Sequence, residues 1–289
     1  MKLLKKLIIG ATLFSALSFN TLNYKASPAS LEQKINETKT YQHYITPETE
    51  SINKYLNNSY CVRCLAIYKQ KETGGEGSLT LGHATLTMFY KRGGDNYFFT
   101  AYHIKNPHKI IKVRLNLENK IWRDITDYTF KDYELCIVDN ELDINREDDV
   151  LLRVLEEHPD KDFLVLKMVQ EDLKDRRWKY TLIDFGNNNY LKEGDIVYSV
   201  GFHHSLFDLV SKGIISNTKK GLGPSLDDFV MDININPGVS GGPVYAIRDN
   251  KLELVGMFHQ YFAVDGRPIG IHYALPINSF KQILEKYIK

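Results

Sequence analysis

Cysteine is scarce: Cys61, Cys64 and Cys136 are the only three, an odd number, so a disulfide framework does not hold this fold together. The spacing of Cys61 and Cys64 invites redox or zinc chemistry, but the pair sits in the strand-like run SYCVRCLAIY. Three residues of strand separate Cα atoms by roughly 10 Å, beyond the reach of a disulfide. A structural zinc site takes four ligands, and no second CxxC or HxxxH pair follows. Buried thiols are the expected state, with a bridge from Cys136 to either partner left open. Long apolar runs are also lacking. The longest, Leu7–Phe19, has 13 residues, short of the roughly 20 a bilayer-spanning helix needs, so no stable membrane anchor is expected. Nor is there an excess of one charge. The net charge is +1, and removing residues 1–26, with four lysines and no acids, takes it to −3. Nothing there favours binding to nucleic acid.

At the start of the chain, Lys2, Lys5 and Lys6 precede the apolar run, the layout of an export signal over residues 1–26, which implies a secreted or periplasmic protein. Cleavage is not fixed: Ala16-Leu17-Ser18 and Ser27-Pro28-Ala29 both qualify, and a short buried helix is the alternative. Residues 27–57 are polar and charged and read as a linker or pro-segment, or a helix packed on the surface. Beyond them, 18 Tyr, 14 Phe and many Val and Ile supply strand formers. Short apolar or alternating runs recur: LGHATLTMFY, DNYFFTAYHI, KIIKVRLNL, YELCIVD and DFLVLKM, then KYTLIDF, DIVYSVGF, GIISNT, FVMDINI, GPVYAIRD, LELVGMFHQYF and GIHYALP. The polar segment Glu171–Lys179 divides the two series, so an all-β fold of two β-barrel lobes is expected, one over residues 58–176 and one over 177–289. Phe280, Ile283, Leu284 and Ile288 recur at helical spacing and predict a closing helix over Ile277–Ile288.

Chemistry concentrates in three segments. NPGVSGGPV, Asn236–Val244, sets Ser240 among glycines at the end of an apolar run. An acyl-transfer serine needs an exposed hydroxyl, a base, and N–H donors aimed at the developing oxyanion. Gly238 permits backbone angles that let its N–H and that of Ser240 converge, while Gly241 and Gly242 keep the approach open. A glycine-rich turn between strands would have the same composition. In FFTAYHI a strand ends at His103, a suitable general base because an imidazole exchanges protons near neutral pH. The adjacent pair His203-His204 points in diverging directions and is set aside. DFLVLKM opens with Asp162, a carboxylate ahead of an apolar strand that is costly to bury without a donor such as an imidazole N–H. The alternation of Asp162, Leu164 and Leu166 against Phe163 and Val165 favours it over Asp160.

TAYHI, DFLVLKM and NPGVSGGPV, in the order His, Asp, Ser, resemble the trypsin-like serine peptidases, in particular the bacterial HtrA-type branch with its NPGNSGGP serine loop. LKEGDIVYSVGF with SKGIIS and MDININPG extend the resemblance, which covers Cys61–Pro276. It implies two six-stranded antiparallel barrels with the active site in the cleft between them. His103, Asp162 and Ser240 would form the triad, with Gly238 and Ser240 as oxyanion donors. The substrate would be a protein or peptide, with no metal or organic cofactor. Two departures from the pattern are read: no PDZ-like domain is expected after Pro276, and Val239 stands beside the serine, which leaves no acid there for a new N-terminus to pair with. Asn234, Phe258 and His259 fall near the expected specificity pocket. Glutamate-specific relatives place a histidine where Phe258 stands, and here His259 comes one residue later, so acidic specificity is not expected; an apolar or small side chain is preferred at the scissile residue. An inert binding or adhesion module on the same fold and a serine esterase are the competing functions, and nothing in the sequence fixes the oligomeric state.

Overall fold

The computed structural model describes residue 52 and residues 55–71, 74–105, 115–116, 122–123, 128–138, 149–169, 180–204, 207–221, 223, 225, 227–264 and 267–289. The export signal, the dividing segment 171–179 and most of the linker lie outside the described residues. Among the described residues no helix is long and apolar enough to cross a membrane.

The first barrel contains β1 (Ser59–Gln70), β2 (Glu76–Arg92), β3 (Asp95–Ala101), β6 (Tyr128–Val138), β7 (Val150–His158) and β8 (Phe163–Met168), with a small hairpin of β4 (Leu115–Asn116) and β5 (Trp122–Arg123) between β3 and β6. Its strands close antiparallel in the order β1-β2-β3-β8-β7-β6. Gly93 and Gly94, at φ +60° and +95°, make the tight β2–β3 turn. The second barrel contains β10 (Ile196–His203), β11 (Phe207–Asn217), β12 (Phe229–Ile233), β13 (Pro243–Arg248), β14 (Lys251–Val264) and β15 (Arg267–Pro276). It closes through the β13–β14 pairing. The expected strand KYTLIDF shrinks to β9 (Asp184–Phe185), which adds parallel to β14. β7 has no counterpart among the expected strands, because VLLRVLEEH lacks a clean alternation; its pairing with β6 and β8 imposes the extended form. The chain ends in α1 (Ile277–Ile288), which begins where Pro276 ends β15.

Each barrel has its own interior, and a further core lies between them. Val62, Leu86, Phe98, Leu164 and Leu166 fill the first barrel; Val197, Met231, Val244 and Phe258 help fill the second. The third core joins Phe89, Phe99, Phe163 and Val165 of the first barrel to Tyr245, Leu254 and Met257 of the second and to Phe280 and Leu284 of α1. β8 is therefore buried on both faces, which is why it reads as an uninterrupted apolar run. Ile52 and Tyr55 are buried in the same core, so the end of the supposed linker belongs to the fold. The three cysteines are buried and form no disulfide, Cys64 inside the first barrel and Cys61 and Cys136 together on its outer side.

Phe280 lies 4.7 Å from the Phe163 ring and 5.7 Å from that of Phe99. Phe280→Ala is expected to cost about 3–5 kcal/mol of unfolding free energy, measured by urea titration, whereas a loss below about 1 kcal/mol would show that α1 is dispensable to the core.

Candidate active site

The antiparallel ladder of β3 and β8 ends with Ala101 opposite Phe163. The residues that follow β3 and those that precede β8 are thereby brought to one place. His103 lies in the 3-10 turn Tyr102–Lys105, and Asp162 caps the turn Pro159–Lys161 in the left-handed conformation, φ 53° and ψ 45°. Asp162 thus sits ahead of the strand rather than in its alternation, and the twist of its backbone is what aims the carboxylate. Three bonds tie the segments: Tyr102 N–H donates to the Asp162 carbonyl at 3.1 Å, His103 N–H to Oδ1 at 2.7 Å, and His103 Nδ1 to Oδ2 at 2.7 Å. With Nδ1–H committed to the carboxylate, Nε2 of a neutral His103 carries the lone pair. The His103 side chain is 39% exposed. The rival Asp160 is exposed and has no such contact.

Ser240 arrives from the second barrel on a loop stitched to the first. Thr85 N–H donates to the Ser240 carbonyl at 2.8 Å, Thr85 Oγ1 to the Gly238 carbonyl at 2.9 Å, and Thr87 Oγ1 to the Gly241 carbonyl at 3.0 Å. Thr100 Oγ1 donates back to the Thr85 carbonyl at 2.7 Å. Gly241, at φ +85°, lies so close that a β-carbon there would be 2.2 Å from Thr100 Oγ1 and 2.9 Å from the Ala101 nitrogen. The serine loop is therefore pressed against the end of β3, two residues before His103. These threonines escaped the sequence analysis. Their signal was present in HATLTMFY, where Thr85 and Thr87 alternate with Ala84, Leu86 and Met88 and so face away from the barrel interior.

The Pro237 carbonyl accepts from His204 N–H at 2.6 Å. In a trans peptide the next N–H points the opposite way, so the Gly238 N–H is turned from that bond. Among the described residues neither the Gly238 nor the Ser240 N–H has an acceptor, which leaves both donors for an incoming oxygen. The set-aside histidines hold this loop. His203 Nδ1 accepts from Asn236 Nδ2 at 3.1 Å, its Nε2 meets Ser211 Oγ at 3.3 Å, and Ser211 Oγ donates to the Asn234 carbonyl at 2.7 Å. Val239 is fully buried in the second barrel's core, which explains the apolar residue beside the serine.

The residues assigned to the specificity pocket separate. Asn234 is exposed. The Phe258 ring is buried in the second barrel beside His272, while its backbone pairs with Gly241 and Gly242. His259 is buried against Asp162: its Nδ1 lies 3.3 Å from Asp162 Oδ2 and its Nε2 3.1 Å from Asp228 Oδ2. Neither this pairing nor Asp228 was visible in the sequence. Burial alone would raise the Asp162 carboxyl, but hydrogen bonds from His103 and His259 outweigh it and hold the group well below the usual carboxylate range. Burial likewise opposes the charged form of His259, yet the two carboxylates push it up to about 9. Among the described residues no cluster of three or more His, Cys, Asp or Glu is arranged to hold a metal.

The sequence profile of the family described as "Trypsin-like peptidase domain" matches residues 87–257, and the chain belongs to that family. Over 269 residues it is 26% identical to the "Probable periplasmic serine endoprotease DegP-like" of Marinomonas sp. (strain MWYL1), covering 89% of this chain and 47% of that protein. A protein of the same description from Brucella suis biovar 1 (strain 1330) is 34% identical over 113 residues, 38% of this chain and 21% of the relative. The chain thus spans about half or less of the length of these relatives. The fold is shared with "HtrA-type protease AlgW with decapeptide", at TM-score 0.55 and 15% identity over 84% of this chain and 68% of that one. It is shared likewise with "HtrA-type protease AlgW with tripeptide", at TM-score 0.53 and 18% identity over 83% and 63%.

The raised His259 pKa has a consequence for stability. An unfolded histidine loses its proton near pH 6.5, whereas folded His259 keeps it to about pH 9. Between those values the native state binds the extra proton, so stability falls as pH rises, by roughly 3 kcal/mol in all. The buried thiols add to this only above about pH 8.5, the ordinary cysteine value. His83, His203 and His272, held below the ordinary histidine value by burial, oppose this near pH 6.5, where their unfolded forms still take up protons. Urea unfolding from about pH 7.5 to 8.5 should therefore show a downward slope that flattens in Asp228→Asn; equal slopes in the two proteins would contradict the charged pairing.

Proposed function

We propose that the protein is an exported serine endopeptidase that cleaves peptide bonds through an acyl-enzyme on Ser240. His103 Nε2 takes the Ser240 proton as Oγ attacks the scissile carbonyl. Asp162 holds the tautomer that makes this transfer available and stabilises the imidazolium that results. The Gly238 and Ser240 N–H groups receive the oxyanion. The imidazolium then gives its proton to the leaving amine, and a water activated by His103 hydrolyses the ester to return Ser240. No step calls on a metal or organic cofactor.

One observation carries this reading: the double hydrogen bond of Asp162 to His103, formed where the glycine-rich serine loop is bound to the first barrel. Membership of a peptidase family supports the reaction class, and the peptides named with the AlgW structures support a peptide substrate. The basic start and apolar run of residues 1–26, with the periplasmic description of the relatives, support export. Asn234 remains the exposed candidate at the specificity pocket, for an apolar or small side chain.

A fluorophosphonate probe should label the purified protein on Ser240, and labelling should disappear in Ser240→Ala and His103→Ala. Peptide turnover by folded Ser240→Ala should fall by about 10⁶-fold. Unchanged turnover in that variant would refute the assignment, and ester hydrolysis without peptide cleavage would replace it with an esterase.

A further inference from the structure

His259 is the extra residue of a β-bulge. In the β14–β15 ladder Phe258 faces Ala274 and Gln260 faces Tyr273, leaving His259 unpaired. A bulge re-aims a side chain, and here two consecutive residues, Phe258 and His259, are both buried. The ring is turned between Asp162, which precedes β8, and Asp228, which precedes β12. Both of its nitrogens face carboxylate oxygens. A neutral imidazole offers only one N–H, so two acceptors call for the doubly protonated ring. These two carboxylates are the charged groups bonded to His259, with His103 beyond Asp162.

Asp228 is itself built for this contact. Its side chain is 0% exposed, and its Oδ2 also accepts from Ser225 N–H at 2.8 Å. Gly223 packs so close that a β-carbon there would be 2.6 Å from the same oxygen. Asp228 Oδ1 is buried with no partner among the described residues. A buried charge so poorly served elsewhere requires a fixed counter-charge, and His259 supplies it.

We propose that His259 is a positioning residue for the reaction: an imidazolium held by Asp228 that locks the Asp162 carboxylate toward His103 and, by its charge, sets the acid limb of activity. The inference rests on the serine peptidase reading given above. The chain of contacts ends on the carboxylate that the reaction uses. A second donor at Asp162 Oδ2 restrains rotation of the carboxylate, and a cation beside it offsets part of the carboxylate's field at the His103 ring.

Two double variants separate position from charge while leaving no unpaired buried carboxylate. His259→Gln with Asp228→Asn keeps an N–H donor but removes both charges; His259→Ala with Asp228→Asn removes the donor as well. The glutamine variant should keep kcat within a few-fold, with the acid limb of kcat/KM displaced upward by about half a pH unit or more. The alanine variant should lose roughly tenfold or more in kcat with little change in KM. An acid limb in the glutamine variant that coincides with that of the wild type overturns the role of charge, and an unchanged kcat in the folded alanine variant overturns the role of position. Should the alanine variant not fold, the glutamine variant's pH profile decides alone. Fluorophosphonate labelling of the wild type is the control: an unlabelled wild type overturns the peptidase reading and this inference together, whereas a labelled wild type with indifferent variants overturns only the inference.

Discussion

Asp162 is a carboxylate with only 22% of its side chain exposed, and much of the architecture can be understood as the means of keeping it charged. A buried anion persists only if donors replace its lost water. The β3–β8 register brings the first barrel's donors to it, a backbone N–H and a ring nitrogen of the same residue, His103. The bulge in β14 brings the second barrel's donor, His259, with Asp228 behind it. The carboxylate is thus held from both barrels, and His103 is oriented by the whole fold rather than by one loop.

A second set of contacts fixes the serine loop to the first barrel. The fully buried Thr85, Thr87 and Thr100 bind the carbonyls of Gly238, Ser240 and Gly241 either directly or through Thr85. Each serves a backbone group that has no strand partner, as buried polar groups require. The close approach at Gly241 admits no larger residue, and the left-handed φ of Gly238 and Gly241 lets the loop turn sharply enough to leave two N–H groups open. The interbarrel core of Phe99, Phe163, Phe280 and Met257 lies behind these bonds and gives them a rigid support.

Much of this was legible in the sequence, and the remainder was hidden for physical reasons. Strand periodicity revealed two barrels, and the helical spacing of Phe280, Ile283 and Leu284 revealed α1, because those patterns are local. His103, Asp162 and Ser240 stood out through their short flanking motifs. β7 was missed because its extended form is imposed by neighbours far along the chain. Asp162 was chosen for its phase in a strand, yet it stands in the left-handed conformation ahead of that strand. His259 and Asp228 are 31 residues apart, and no spacing rule connects them: a one-residue bulge decides which way the imidazole turns. His203 and His204 were dismissed as diverging, and their divergence is what allows one side chain and one backbone N–H to hold two points of the serine loop.

The central claim is that one carboxylate, Asp162, is shared by two histidines bound in different ways. The most direct measurement is long-range proton–nitrogen NMR of the histidine rings near pH 8, in the wild type and in Asp162→Asn. The wild type should show a hydrogen-bonded Nδ1 proton on His103 and protons on both nitrogens of His259, and both sets of signals should move in the variant. A His259 ring with a single proton at that pH, or signals indifferent to the loss of the carboxylate, would contradict the account.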